Sequence, residues 1–306
     1  MPASSSYHSF NMDRPRPAGS IRLWMAVNHL LHRLDGARGP GRLETSRFRP
    51  EWDEAFWSAM QPGLSPSRAW CNWFWSGLPW KGIRRALGRL DVLDLGCGSG
   101  AYARQWDAWS GGLDRYTGVD FTARDAWTGV NAGPGRTFHA SDIIRYVQAN
   151  PVSATLLLSQ SALEHFPEDT RLMNLLRDRV MTAGGPRLQV HLVPSAACLA
   201  LPRTRRAPVH AAQRRETAGR ISRHRRALPA GRTGGAAGNR VHHEWITAPV
   251  LAGRGDRRAT EPEGYQAALK RAMREDLEGD GGDPCFWAVV IQTGGTVPEV
   301  DEAWRA

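Results

Sequence analysis

From about residue 90 the apolar and polar positions alternate between two periods, one fitting strands and one fitting helices. Asp91 to Leu95 (DVLDL) is a short, nearly continuous apolar run, as expected of a strand buried on both faces. Gly96, Gly98 and Gly100 follow at once, and a helical pattern starts at Ala101 and runs to Trp109. Further strands are predicted over Arg115 to Val119, ending in Asp120, over Thr137 to His139, over Ala154 to Leu158 and over Leu188 to Val193. Helices are predicted from Asp142 to Ala149 and over Pro167 to Met181, with acids early and basic residues late. Near the C-terminus a helix is predicted over Glu263 to Leu277, before a strong closing strand in PCFWAVVIQTG. Strands alternating with helices predict an α/β fold with a largely parallel sheet covered on both faces.

Upstream the pattern differs. Residues 1–20 are rich in Ser, Pro and Arg and predict a disordered tail. Ile21 to Leu34 fits a short amphipathic helix, broken by Gly36, Gly39, Pro40 and Gly41. Trp52, Phe56, Trp57 and Met60 fall at helical spacing, and Ser65 is placed to cap a helix over Ser67 to Ser76. Trp70, Trp73, Phe74, Trp75 and Trp80 give this region a high aromatic density, read first as helices packing on the sheet edge.

Composition narrows the class. A chain of 306 residues suffices for one elaborated α/β domain or two small ones. Its four cysteines form no C-x-x-C pair, which argues against a zinc site or disulfide framework. No apolar run approaches the roughly 20 residues of a membrane span. The first apolar stretch, Ile21 to Leu31, is interrupted by Arg22, Asn28 and His29, so no signal peptide is expected. The expectation is a cytoplasmic protein. Its net charge of +10 is local: Arg203 to Arg240 holds eleven arginines against the single acid Glu216, and the remainder balances. Nucleic acid is therefore not an expected partner of the folded part.

From about Pro202 the pattern fails. As far as Gly235 there is no aromatic residue and no apolar period, so 202–238 is expected to be irregular. Three readings fit: a basic insertion touching RNA or another anionic surface, a solvated loop without function, or the wrong frame of GC-rich DNA. The frame reading is favoured because ordinary character returns abruptly near Asn239. His242, His243 and Glu244 do not predict a metal site. Neighbouring histidines on a strand face opposite ways, and a helical pair needs i, i+4 spacing.

Candidate chemistry centres on the strand–glycine loop–helix unit. It lets a ligand lie against bare backbone, beside the unpaired N–H groups of a helix start. Gly96, Gly98 and Ala101 satisfy G-x-G-x-x-G/A, a weak dinucleotide signal. The sharper pattern is an acid two residues before the first glycine, followed by G-x-G-x-G. In VLDLGCGSG the chain resembles the class I S-adenosylmethionine-dependent methyltransferases, matching their first motif at every position.

The resemblance implies a Rossmann-like fold: a mostly parallel seven-stranded sheet, helices on both faces, and an antiparallel C-terminal strand. It implies S-adenosylmethionine as cofactor and methyl transfer to a small-molecule acceptor. Asp94 would sit near the methionyl ammonium, with Gly96, Cys97, Gly98 and Gly100 forming the cradle. Asp120, about 20 residues on, would accept the ribose hydroxyls; otherwise it is a helix cap. Asp142 would accept from the adenine amino group and Ile143 pack on the ring, although Asp142 could equally cap the following helix. Ser161 to Phe166 fits the family's S-x-L-E-H-f segment, and Ser159 would lie near the sulfonium. There the chain departs from the pattern, because many relatives carry an acid or Asn where Ser159 and Gln160 stand. His165, backed by Glu164, is the candidate base; the other reading makes the pair structural. The aromatic helices within 21–89 would form a lid lining the acceptor pocket. The division expected is a tail over 1–20, that lid region, a cofactor-binding core over 90–201, the arginine-rich 202–238, and a C-terminal completion of the sheet over 239–306. Two alternatives remain: a non-catalytic or damaged relative that keeps the pocket, and an RNA or protein methyltransferase resting on the arginine segment. The acceptor's identity and the oligomeric state are left open by the sequence.

Overall fold

Eight strands form one sheet in the computed structural model, which describes residues 45–195, 228–280, 282–298 and 300. The tail over 1–20, the helix expected over 21–34 and the arginine-rich stretch as far as residue 227 lie outside the described residues. In chain order the first elements are β1 (Thr45–Arg47), α1 (Glu54–Ala59), α2 (Pro66–Ser76), α3 (Trp80–Leu87), β2 (Asp91–Leu95), α4 (Ala101–Ser110), β3 (Arg115–Asp120) and β4 (Arg136–Ala140). Then come α5 (Ile143–Ala149), β5 (Leu156–Gln160), α6 (Asp169–Ala183), β6 (Arg187–Pro194), β7 (Ala230–Thr233) and α7 (Ala236–His242). After a π-helical turn at His243–Thr247 follow α8 (Ala248–Leu251), α9 (Arg257–Thr260), α10 (Pro262–Glu278) and β8 (Phe286–Thr293).

The sheet order is β1-β7-β8-β6-β5-β2-β3-β4. Every neighbouring pair is parallel except those of β8, which runs antiparallel to both β6 and β7. The chain winds outward from β2 to β4, then returns to lay β5 on the other side of β2. The winding reverses at β2, the position beside which open α/β sheets take their ligands. Asp94 pairs with Gly118 on one side and Leu158 on the other, so the loops after β2, β3 and β5 emerge side by side.

Local chemistry sets the helix ends. Asp53 accepts from the Ala55 and Phe56 amides at the start of α1, and Ser65 accepts from the Arg68 amide at the start of α2. Asp142 accepts from the Arg145 amide and caps α5. The fourth strand expected over Ala154 to Leu158 lies two residues later. Thr155 is drawn into the strand's entry, donating to the Arg89 carbonyl at 2.7 Å. Ser159 and Gln160 continue the strand because both find buried partners. An edge strand, β1, adds to the seven expected.

Two apolar layers sandwich the sheet. On one face Trp70, Phe74, Trp75, Ile83, Trp106 and Tyr265 pack over Leu156, Leu158, Val190 and Val290. On the other Leu172, Leu176 and Val180 of α6 pack over Leu157, Val289 and Ile291. Trp70, Trp73, Phe74, Trp75 and Trp80 are all buried in the first layer. They are core, not the pocket lining that the resemblance implied.

The end of the segment expected to be irregular is regular. β7 pairs on both edges, and α7 follows directly. Small residues make this possible without large apolar side chains. A Cβ on Gly234, whose φ is +69°, would come within 2.7 Å of Trp70 and 2.8 Å of the Cys285 sulfur. The neighbours thus supply the buried surface. Asp276 of α10 accepts from the Ala237 and Gly238 amides, both at 2.9 Å, and caps α7 from outside its own segment. Among the described residues no group of three or more His, Cys, Asp or Glu is placed to hold a metal ion, and no helix is long and apolar enough to cross a membrane.

Candidate functional site

The site is built at the C-terminal ends of β2 and β5. Leaving β2, the Gly96 and Cys97 amides both donate to the Val119 carbonyl, and the Gly100 amide donates to Cys97. Gly96, Gly98 and Gly100 have φ of +81°, +54° and +78°, a region that side chains other than glycine's enter at a cost of about 1–2 kcal/mol. Their surroundings differ. A Cβ at Gly96 would stand 2.6 Å from that of Ala162, and one at Gly100 only 2.4 Å from the Phe138 ring. At Gly98 nothing lies within 4 Å. Close packing inside the protein thus accounts for two of the three glycines, and only Gly98 presents bare backbone to open space.

The carboxylates at the strand ends follow from the register. Asp120 accepts from the Gly98 amide at 2.8 Å and from the Thr122 amide at 3.2 Å. Ser141 donates through its amide to the Asp120 carbonyl, bringing the β4 end, with Asp142 and the buried Ile143, beside the β3 end. Phe121, directly after Asp120, is 80% exposed. Its signal in the sequence was an aromatic residue beside a strand-end acid, and it went unread.

Asp94 lies beneath the loop, 2% exposed, with the Tyr116 hydroxyl donating to it at 2.6 Å. Burial pushes its carboxyl up to about 7, with the Asp120 charge adding to the rise and the Tyr116 hydrogen bond opposing it. Burial, reinforced by Asp94 and Asp120, pushes the Cys97 thiol up and keeps it neutral.

The β5 side is made of side chains. Ser159, expected near the ligand, is fully buried within the sheet with its hydroxyl 2.9 Å from His191 Nδ1; it offers no surface to a ligand. Gln160 accepts from the Trp75 indole at 2.6 Å. Ser161 has φ +53°, a strained conformation for a serine. Its hydroxyl donates to Glu164 Oε1 at 2.7 Å, and His165 Nε2 is 3.8 Å from the same oxygen. Burial raises the Glu164 carboxyl, against the pull of His165 and Ser161. Helix α2 offers Arg68 and Asn72 here rather than its tryptophans. Arg68 donates to the Tyr102 hydroxyl at 2.9 Å, which donates to Asn72 Oδ1 at 2.7 Å. The Arg68 charge is held up chiefly by Tyr102 against its burial, and Glu164 is near enough to contribute.

An antiparallel last strand between β6 and β7, with a glycine loop at the point where the winding reverses, decides the architecture. It is a Rossmann-like α/β sheet, the fold that the resemblance to the class I methyltransferases implied. The sequence matches no family model and no curated protein. Solved structures similar to this chain include the plantazolicin methyltransferase BamL, at 12% identity and a TM-score of 0.45, over 91% of this chain and 100% of that one. A SAM-dependent methyltransferase from Archaeoglobus fulgidus is similar at 16% identity and a TM-score of 0.43, over 79% of this chain and 100% of that one. The N-methyltransferase NodS from Bradyrhizobium japonicum WM9 is similar at 13% identity and a TM-score of 0.37, over 57% and 94%. At that distance the likeness says nothing about this chain's ligand or acceptor.

Proposed function

We propose that the chain binds S-adenosylmethionine across the glycine loop and transfers its methyl group to a small-molecule acceptor. The open space in front of Gly98, whose amide is held by the strand-end carboxylate of Asp120, carries this reading. The residues suit the group. A buried acid under the loop and a half-buried arginine bonded to Tyr102 offer opposite charges to an amino-acid tail, while the exposed Phe121 and the ends of β3 and β4 offer an apolar face and carboxylates to a nucleoside.

When bound, S-adenosylmethionine supplies an electrophilic methyl on a sulfonium. The chain's part is to position. Asp120 already holds the Gly98 amide through one oxygen and turns its other toward Thr122, leaving lone pairs for ribose hydroxyls. Asp142 and Ile143 would hold the adenine, Asp142 while still capping α5. Asp94 would lie toward the ammonium of the amino-acid tail, and Arg68 would offer its charge to the carboxylate of the same tail. Holding donor and acceptor in line is worth on the order of 7–11 kcal/mol. For a hydroxyl or amine acceptor, His165 receives the proton while Glu164 steadies its imidazolium.

Titration calorimetry with adenosylhomocysteine and with NAD separates this from the dinucleotide reading. Saturable binding of the first and none of the second is expected; binding of NAD alone would reverse the assignment. Methyl transfer from labelled S-adenosylmethionine to an acceptor pool then distinguishes an enzyme from a relative that only binds.

A further inference from the structure

Three glycines in five residues make a loop with much conformational freedom to lose. In this fold the loop is gripped from behind by the connection between β3 and β4. The Trp127 indole N–H donates to the Gly98 carbonyl at 2.8 Å, and the Asn131 amide donates to the Ser99 carbonyl at 2.7 Å. Asp120, the last residue of β3, takes the Gly98 N–H, so the amide and the carbonyl of that residue are held by side chains from the strand end and from the connection that follows it. Neither donor is adventitious. The Trp127 ring stacks on Phe138 with centroids 5.4 Å apart and planes 11° from parallel, and Phe138 is the ring that fills the space beside Gly100 and Gly118. Asn131 is 2% exposed and its own amide is tied to the Ala126 carbonyl, closing the turn that carries both residues.

We infer that Trp127 and Asn131 are positioning residues that fix the glycine loop in its ligand-ready shape before any ligand arrives. In a trans peptide the C=O and N–H point opposite ways. Turning the Gly98 carbonyl toward Trp127 therefore turns the Ser99 N–H away from it. A loop already ordered spares the bound state the entropy of ordering it, which raises affinity without adding a contact to the ligand. The inference rests on the cofactor reading for its effect on binding, but not for its effect on the loop.

The test pairs Trp127→Phe, which keeps a ring on Phe138 and loses only the N–H, with Asn131→Ala and the double variant. Two quantities are read: adenosylhomocysteine affinity by calorimetry, and amide hydrogen exchange at Gly98, Ser99 and Gly100 in the free protein. Each single change is expected to weaken binding roughly 3- to 10-fold, the worth of one net hydrogen bond, and to speed exchange at the loop amides while β2 and β5 exchange as before. Unchanged affinity and unchanged loop exchange overturn the inference. So does exchange that rises equally across the sheet, because the residues then serve the fold at large. If the unaltered protein binds no adenosylhomocysteine, the cofactor reading fails, and loop exchange alone decides whether the grip exists.

Discussion

The two walls of the cleft are made differently. On the β2 side the working surface is main chain, the loop from Gly96 to Gly100, with its peptide groups held by Val119, Asp120 and neighbouring loop residues. On the β5 side it is a cluster of ionisable side chains, Glu164, His165 and Arg68, drawn from the β5 end and from helix α2, far apart in sequence. A main-chain wall tolerates few substitutions because a side chain at Gly96 or Gly100 meets Ala162 or Phe138, and one at Gly98 fills the space in front of the loop. A side-chain wall can be altered residue by residue with the fold intact. Substitutions on the first wall should therefore cost stability or all binding, and those on the second should change which ligand is favoured.

The largest effect is expected within the glycine loop itself. Gly100→Val forces a side chain into the Phe138 ring at a positive φ, and should destabilise the fold by about 2–5 kcal/mol, combining overpacking with left-handed strain. Denaturant unfolding measures it; a change below about 1 kcal/mol would mean Phe138 moves aside freely. On the other wall, Arg68→Ala should weaken adenosylhomocysteine binding roughly 10- to 100-fold, the range for a hydrogen bond to a charged group. Binding of methylthioadenosine, which lacks the amino-acid tail, should barely change. Equal losses for both ligands would place Arg68 elsewhere in the site.

A smaller effect depends on pH. Asp94 is held near 7 when free, so below that value an ammonium must bind beside a neutral acid. Affinity for adenosylhomocysteine should fall by up to about tenfold per unit as pH drops below 7, and Asp94→Asn should flatten the profile. The free protein responds in the opposite sense. A carboxyl raised in the folded state costs stability as pH climbs from its ordinary value toward 7, and the Asn variant should lose that slope as well. The smallest effect is at Asp142: Asp142→Ala removes the α5 cap and should cost about 1 kcal/mol of stability. Any accompanying loss of affinity measures its part in holding adenine, and none would leave it a cap alone.

How much of this could be read from the sequence follows the same division. The β2 wall was legible because strand, glycines and helix are adjacent in the chain, and the spacing to Asp120 is set by one crossover. What spacing could not show was that Ala162 and Phe138 demand glycine at 96 and 100. On the β5 wall the Glu164–His165 pair is visible, but the resemblance that puts Ser159 near the sulfonium cannot show that His191 on the neighbouring strand claims its hydroxyl. Arg68, Trp127 and Asn131 carry no local pattern, and Phe121 only that of an aromatic residue after a strand-end acid. The stretch from Leu228 to Gly238 was misjudged for a related reason. Its apolar content is low, and what orders it comes from Trp70, Cys285 and Asp276 elsewhere in the chain.

The most direct test of the site is Gly98→Asn, since asparagine tolerates a positive φ better than other side chains and would occupy the one open face of the loop. Its adenosylhomocysteine affinity should collapse while its melting temperature stays within a few degrees of the unaltered protein's. Full affinity in a folded Gly98→Asn variant would contradict a ligand seated on that backbone.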